Sequence, residues 1–214
     1  MKISIIGSGF VGVALGKGLI DLGNGVIFYD VVNKNLPNFT TDITYAIGSS
    51  NISFVCVPTP TNDKGEIDLS YIKEASKNVG KAIAKKANYH LVVIKSTVVP
   101  TTTENVVIPI LENYSEKKAG EFGVCMNPEF LTEISNTWSD DEGYKKDLYT
   151  EDRIVIGEYD KKSSYSSSRI GDEISACYKV DAKGDVTNHR YAHHSICCRR
   201  SNCLRNRGYP NYHR

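Results

Sequence analysis

Ile3-Ser4-Ile5-Ile6 runs into Gly7-Ser8-Gly9-Phe10-Val11-Gly12, and Val11-Gly-Val-Ala-Leu-Gly-Lys-Gly-Leu-Ile-Asp-Leu22 follows. The first four residues read as a buried strand, and the last stretch repeats apolar residues at helical spacing. Strand, Gly-x-Gly-x-x-Gly and helix is the context of a dinucleotide-binding turn. Each glycine has a physical task there. Gly7 makes the tight turn, Gly9 lets a pyrophosphate reach the backbone, and Gly12 lets helix and strand pack closely. The helix N-terminus, at Phe10 and Val11, turns its backbone N–H groups toward the phosphates.

A second strand, Val26-Ile-Phe-Tyr29, ends on Asp30. That is the place of a carboxylate that hydrogen-bonds the adenosine ribose and repels a 2′-phosphate. NAD is therefore the expected cofactor, in preference to NADP. A solvated turn aspartate is the alternative reading of Asp30.

Outward from this unit the chain alternates strands and helices. Val31 to Asn38 reads as a loop, and 40–47 predicts a short helix. Asn51-Ile-Ser-Phe-Val-Cys-Val57 predicts a third strand, which enters Pro58-Thr59-Pro60-Thr61, where proline disfavours helix and ladder alike. A long helix begins near Asp68, with Leu69, Ile72, Val79 and Ile83 on one face. Tyr89 to Ile94 predicts a fourth strand, with Lys95-Ser96-Thr97-Val98-Val99-Pro100 as the loop beyond it. Thr101 to Thr103 can cap a helix over 104–111 that Pro109 shortens. Phe122 to Met126 and Arg153 to Gly157 are the fifth and sixth strands. Six short strands with helical connections imply an α/β fold, a doubly wound parallel sheet of the Rossmann type. The predicted domain covers 1–160, followed by a linker and aperiodic tail over 161–214.

The 214 residues carry a formal net charge of +1, with 40% hydrophobic and 24% charged residues. The total charge gives no reason to expect nucleic acid as a partner. No apolar run reaches the roughly 20 residues of a membrane span. Met1-Lys2 leads straight into a strand, so no signal peptide and a cytoplasmic location are expected. Cys56 and Cys125 sit in apolar runs and read as small core residues.

Basic-residue usage changes after Lys183: 18 Lys and 2 Arg come before, no Lys and 6 Arg after. The last 31 residues also hold four of the five His and three of the six Cys. The switch suggests a shifted reading frame, and the segment lacks the apolar area to offset ordering entropy. Two other readings of the tail are zinc binding by His189, His193, His194, Cys197, Cys198 and Cys203, and unspecific attraction of its arginines to phosphate backbones. Their spacing matches no familiar zinc pattern, so no metal is assigned.

Gly7-Ser-Gly-Phe-Val-Gly12, Val57-Pro-Thr-Pro60, Lys95-Ser-Thr-Val-Val-Pro100 and Asn127-Pro-Glu-Phe-Leu-Thr-Glu133 stand at successive strand ends. In this order they resemble the UDP-glucose/GDP-mannose dehydrogenase family, the nucleotide-sugar 6-dehydrogenases, over about residues 1 to 160. The resemblance implies a two-step oxidation of a sugar C6 alcohol to a carboxylate, with two NAD reduced. It implies that Pro58, Thr59, Pro60, Ser96 and Thr97 border the cofactor and that Thr97 positions a water. The resemblance further implies that Glu129 and Glu133 assist proton transfer around that water and that the backbone at Phe130 and Leu131 contacts the nucleotide sugar. Spacing alone says less. Asn127-Pro128 reads as a helix start, and Glu129 and Glu133 share a helical face. Such a pair divides acid and base work or merely complements the helix dipole. Lys95 reads as a surface lysine with a buried stem or as a charge beside the cofactor.

The family also uses a central helix with Lys and Asn, and a Gly-Gly-x-Cys-x-x-Lys-Asp segment whose thiolate takes the aldehyde. Neither occurs in these 214 residues, and Cys177 sits in Ala-Cys-Tyr-Lys. The connection from Ser135 to Tyr149 also departs from the family. The expectation is the NAD-binding half of a nucleotide-sugar 6-dehydrogenase, truncated, monomeric and inactive alone. The alternative is an NAD-binding module that serves as a regulator or partner subunit.

Overall fold

The computed structural model of the chain describes residues 1–129 and 156–160. A seven-stranded sheet is built from β1 (Lys2–Ile6), β2 (Gly25–Tyr29), β3 (Phe39–Thr40), β4 (Ile52–Val55), β5 (Leu91–Ile94), β6 (Gly123–Met126) and β7 (Gly157–Glu158). The order is β3-β2-β1-β4-β5-β6-β7. The first six are parallel, and β7 runs antiparallel to β6 through Met126↔Gly157 and Cys125↔Glu158. Among the described residues, the expected sixth strand is met at Gly157, where it pairs antiparallel to β6. An antiparallel edge strand on a parallel sheet is a common arrangement. Residues 153–155 lie outside the described residues. The short β3 adds a strand between the predicted loop and the predicted short helix, taking Thr40 from the latter, which forms over Ile43–Gly48.

Helices α1 (Phe10–Asp21), α2 (Ile43–Gly48), α3 (Ser70–Ala84) and α4 (Ile108–Ser115) connect the strands. Asp42 caps α2 by accepting from the N–H of Thr44 and Tyr45. Asp68 accepts from Ser70 N at 2.8 Å, ahead of α3. Before α4 a wide π turn spans Thr103–Val107, with Thr102 at its start and no side-chain cap, so the expected threonine cap does not form. Pro109 lies in the first turn of α4, directly after the π turn.

Period-two alternation splits the sheet into two buried faces. Ile3, Ile5, Phe28, Phe54 and Val93 pack with Leu15 and Leu19 of α1. Ile6, Val55, Val92, Ile94 and Val124 pack with Ile72, Val79 and Ile83 of α3 and Leu111 of α4. Helix α1 lies close because Gly16 faces the Phe28 ring, where an added Cβ would stand 2.3 Å from a ring carbon. The strand order reverses beside β1, so successive connections leave to opposite faces and open a crevice at the C-terminal strand ends.

The opposite end of the sheet carries a buried polar network. Lys86 Nζ donates to Ile47 O at 2.8 Å and to Ser50 O, and lies 3.1 Å from His90 Nδ1. An ammonium has no acceptor, so Nδ1 accepts and Nε2 carries the proton toward Ser53 Oγ at 2.7 Å. Ser53 Oγ meets Ser4 Oγ at 2.6 Å, and Ser50 Oγ donates to Ser4 Oγ at 2.9 Å. Burial pushes the His90 pKa down to about 3, and the charge of Lys86 adds to this.

Candidate functional site

The glycine turn sits where β1 meets α1. Gly7 has φ +97°, and a Cβ there would lie 2.6 Å from the carbonyl oxygen of Cys56. A Cβ on Gly12 would lie 2.1 Å from Gly7 O. Gly7 and Gly12 are therefore fixed by the protein's own packing. Gly9 is different: an added Cβ would meet nothing within 4 Å. It stands in extended conformation at the N-cap of α1, with no side-chain cap and no acid in the first turn. The space in front of Gly9 and the uncapped end of a 12-residue helix, with Phe10 and Val11 in its first turn, form a cradle suited to an anion.

Asp30 lies beside this turn and is bonded to it. Its Oδ2 accepts from Ser8 N at 3.0 Å and pairs with Lys34 Nζ at 2.8 Å, and its Oδ1 accepts from Val32 N at 3.2 Å. Burial works to raise the Asp30 pKa, but the Lys34 bond, the Val32 and Ser8 N–H groups and the Lys34 charge together hold it below the usual carboxylate range. Lys34 Nζ also donates to Ser8 O at 2.6 Å, and Ser8 Oγ donates to Tyr29 O at 3.0 Å. Ser8 and Lys34, which sequence reasoning passed over, are thus the clasp between turn and acid.

On the other side of β1 two loops are tied together. Ser96 is buried, and its Oγ donates to Val57 O at 2.7 Å. The hydroxyl braces the Val57-Pro58-Thr59-Pro60 segment against the segment after β5. Thr97 is exposed between buried Ser96 and Val98, so its side chain stands at the sheet's C-terminal edge. Beyond Pro60 the chain forms a compact turn around Asn62, whose Oδ1 accepts from Lys64 N and Glu66 N, both at 2.9 Å.

Lys95 and Glu129 meet between the ends of β5 and β6. Nζ lies 2.8 Å from Oε2, with the two side chains 1% and 9% exposed. The contact is not aligned as a hydrogen bond, and Nζ, Oε1 and Oε2 have no hydrogen-bond partner among the described residues. Neither reading of Lys95 from sequence includes this partner. Cys56, at the end of β4, is buried and its pKa is pushed up to about 12 by burial, with Lys95 opposing and Glu129 adding. It is a packed thiol, not a nucleophile. Phe130, Leu131 and Glu133 lie outside the described residues, as do Cys177 and the His and Cys residues of the tail.

Comparison with known proteins gives concordant findings. Residues 31–178 match the NAD binding domain of the UDP-glucose/GDP-mannose dehydrogenase family. GDP-mannose 6-dehydrogenase of Pseudomonas aeruginosa is 36% identical over 204 residues, covering 82% of this chain and 45% of the relative. UDP-glucose 6-dehydrogenase of Haloferax volcanii is 34% identical over 184 residues, covering 73% of this chain and 41% of the relative. Among solved structures, a ternary complex of GDP-mannose dehydrogenase from Pseudomonas aeruginosa superposes with TM-score 0.71 at 35% identity, covering 82% of this chain and 45% of that one. UDP-glucose dehydrogenase from Pyrobaculum islandicum superposes with TM-score 0.68 at 29% identity, covering 81% and 44%. The chain thus spans a little under half the length of these relatives.

Proposed function

Because the chain belongs to the UDP-glucose/GDP-mannose dehydrogenase family through its NAD-binding domain, we propose that it supplies the cofactor side of a nucleotide-sugar 6-dehydrogenation. The observation that carries this reading is the open space before Gly9 at an uncapped helix end, with Asp30 clasped to the same turn. Gly9, Phe10, Val11 and Gly12 hold the pyrophosphate, and Asp30 holds the adenosine ribose. That leaves the other half of the dinucleotide on the β4 and β5 side, over Pro58, Thr59, Pro60, Ser96 and Thr97. Bound NAD supplies a hydride acceptor. Of this chain's own groups, Thr97 orients a water, and Glu129 accepts a hydrogen bond from it through a carboxylate oxygen that has no partner among the described residues. The family resemblance assigns Glu133 to the same work as Glu129, and Phe130 and Leu131 to contact with the nucleotide sugar. Oxidation through to the acid needs a cysteine motif that these 214 residues do not contain, so we propose cofactor binding without that turnover for the chain by itself.

Calorimetric titration of the chain with NAD and with NADP tests the reading. NAD binds with the higher affinity of the two. A folded chain that binds neither, or both equally, overturns the assignment.

A further inference from the structure

Chemically distinct groups follow three neighbouring strands: Cys56 directly after β4, Lys95 directly after β5, and Glu129 in the segment after β6. A buried ion is ordinarily surrounded by hydrogen bonds, because desolvation is otherwise uncompensated. Lys95 and Glu129 lack them among the described residues and are balanced by mutual charge alone, across 2.8 Å. The pair therefore combines zero net charge with open hydrogen-bonding capacity of both kinds. The ammonium retains donors, and the carboxylate retains acceptors. Cys56 contributes no charge, since burial keeps its thiol protonated.

We infer that the Lys95–Glu129 pair underlies the nicotinamide half of the cofactor and balances the chain's affinity between the oxidised and reduced forms. The inference rests on the NAD reading above. With the ribose at Asp30 on β2 and the pyrophosphate at Gly9 on β1, the remaining half extends over the ends of β4 and β5. The oxidised nicotinamide carries a positive charge, and the reduced one does not. A neutral pair is indifferent to that charge, whereas either partner alone is not. Lys95 without Glu129 repels the oxidised ring, and Glu129 without Lys95 attracts it. One uncompensated charge about 8 Å away, at an effective dielectric of about 30, changes the ratio of affinities by roughly tenfold.

The test is calorimetry of NAD and NADH binding to the whole chain, as wild type, Lys95→Met, Glu129→Gln and the double variant. The affinity ratio moves about tenfold toward NAD in Lys95→Met and about tenfold toward NADH in Glu129→Gln. It returns close to wild type in the double variant, where no net charge remains. Should Lys95→Met fail to fold around an unpaired carboxylate, Glu129→Gln and the double variant carry the same comparison, since neutral replacement of both partners is well tolerated. A folded Glu129→Gln chain with the wild-type ratio overturns the inference and leaves the NAD reading standing. A folded wild-type chain that binds neither form overturns both.

Discussion

The backbone N–H of Ser8 donates to Oδ2 of Asp30 at 3.0 Å, across 22 residues of chain. The acid at the end of β2 is thereby part of the glycine turn at the end of β1. One carboxylate fixes the turn, and in the proposed cofactor site the same carboxylate holds the ribose.

Asp30→Asn keeps a side-chain oxygen for Ser8 and loses the charge. Affinity for NAD should fall by about tenfold, the worth of a charge-assisted hydrogen bond. Affinity for NADP should fall less, because repulsion of the 2′-phosphate is removed. Parallel titrations of both cofactors measure this, and an unchanged NAD/NADP ratio would separate Asp30 from the ribose.

Gly9 and Gly7 should respond to alanine in different ways. Gly9→Ala meets open space in an ordinary extended conformation, so the melting temperature should stay near wild type while NAD affinity drops at least tenfold. Gly7→Ala combines a φ of +97° with a clash against Cys56 O and should cost about 2–4 kcal/mol of stability. Thermal melts alongside titration distinguish the two. Equal destabilisation by both substitutions would contradict the packing described.

His90 makes the fold sensitive to acid. Its folded pKa of about 3 lies below the ordinary histidine value of 6.5, so the unfolded chain binds the extra proton between those limits. Stability from this residue is complete above pH 6.5, falls as pH is lowered, and stops falling near pH 3. The span corresponds to a loss of about 5 kcal/mol. Denaturant unfolding from pH 4 to 7 should therefore show a shallower pH dependence for His90→Gln than for wild type. Parallel curves would remove His90 as the cause.

The parts of the site carried by local chemistry were legible in the sequence. Gly7, Gly9 and Gly12 announce a turn through their spacing, and Asp30 follows a strand of the right length. The alternation that places Phe54 and Val55 on opposite faces is equally local. The Lys95–Glu129 contact was not legible, because it joins two strand ends whose adjacency depends on sheet order. The His90 network had one overlooked signal. Ser4 and Ser53 each interrupt an apolar strand, and a buried hydroxyl requires a partner. The two-residue strands β3 and β7 leave no periodicity to read. The π turn before α4 also escaped, since Pro109 argues for a break without specifying its form.

Because β1 lies inside the sheet, it acquires its second neighbour only when Ile52–Val55 has been synthesised. Parallel pairing of this kind has no hairpin shortcut, and its long loops make folding slow. The glycine turn and Asp30 are brought together early, with β2. Lys95 emerges well before its carboxylate and waits for β6 and Glu129. A chain synthesised only to a point between them would contain both Ser8 and Asp30 but hold the Lys95 ammonium without its Glu129 counter-charge.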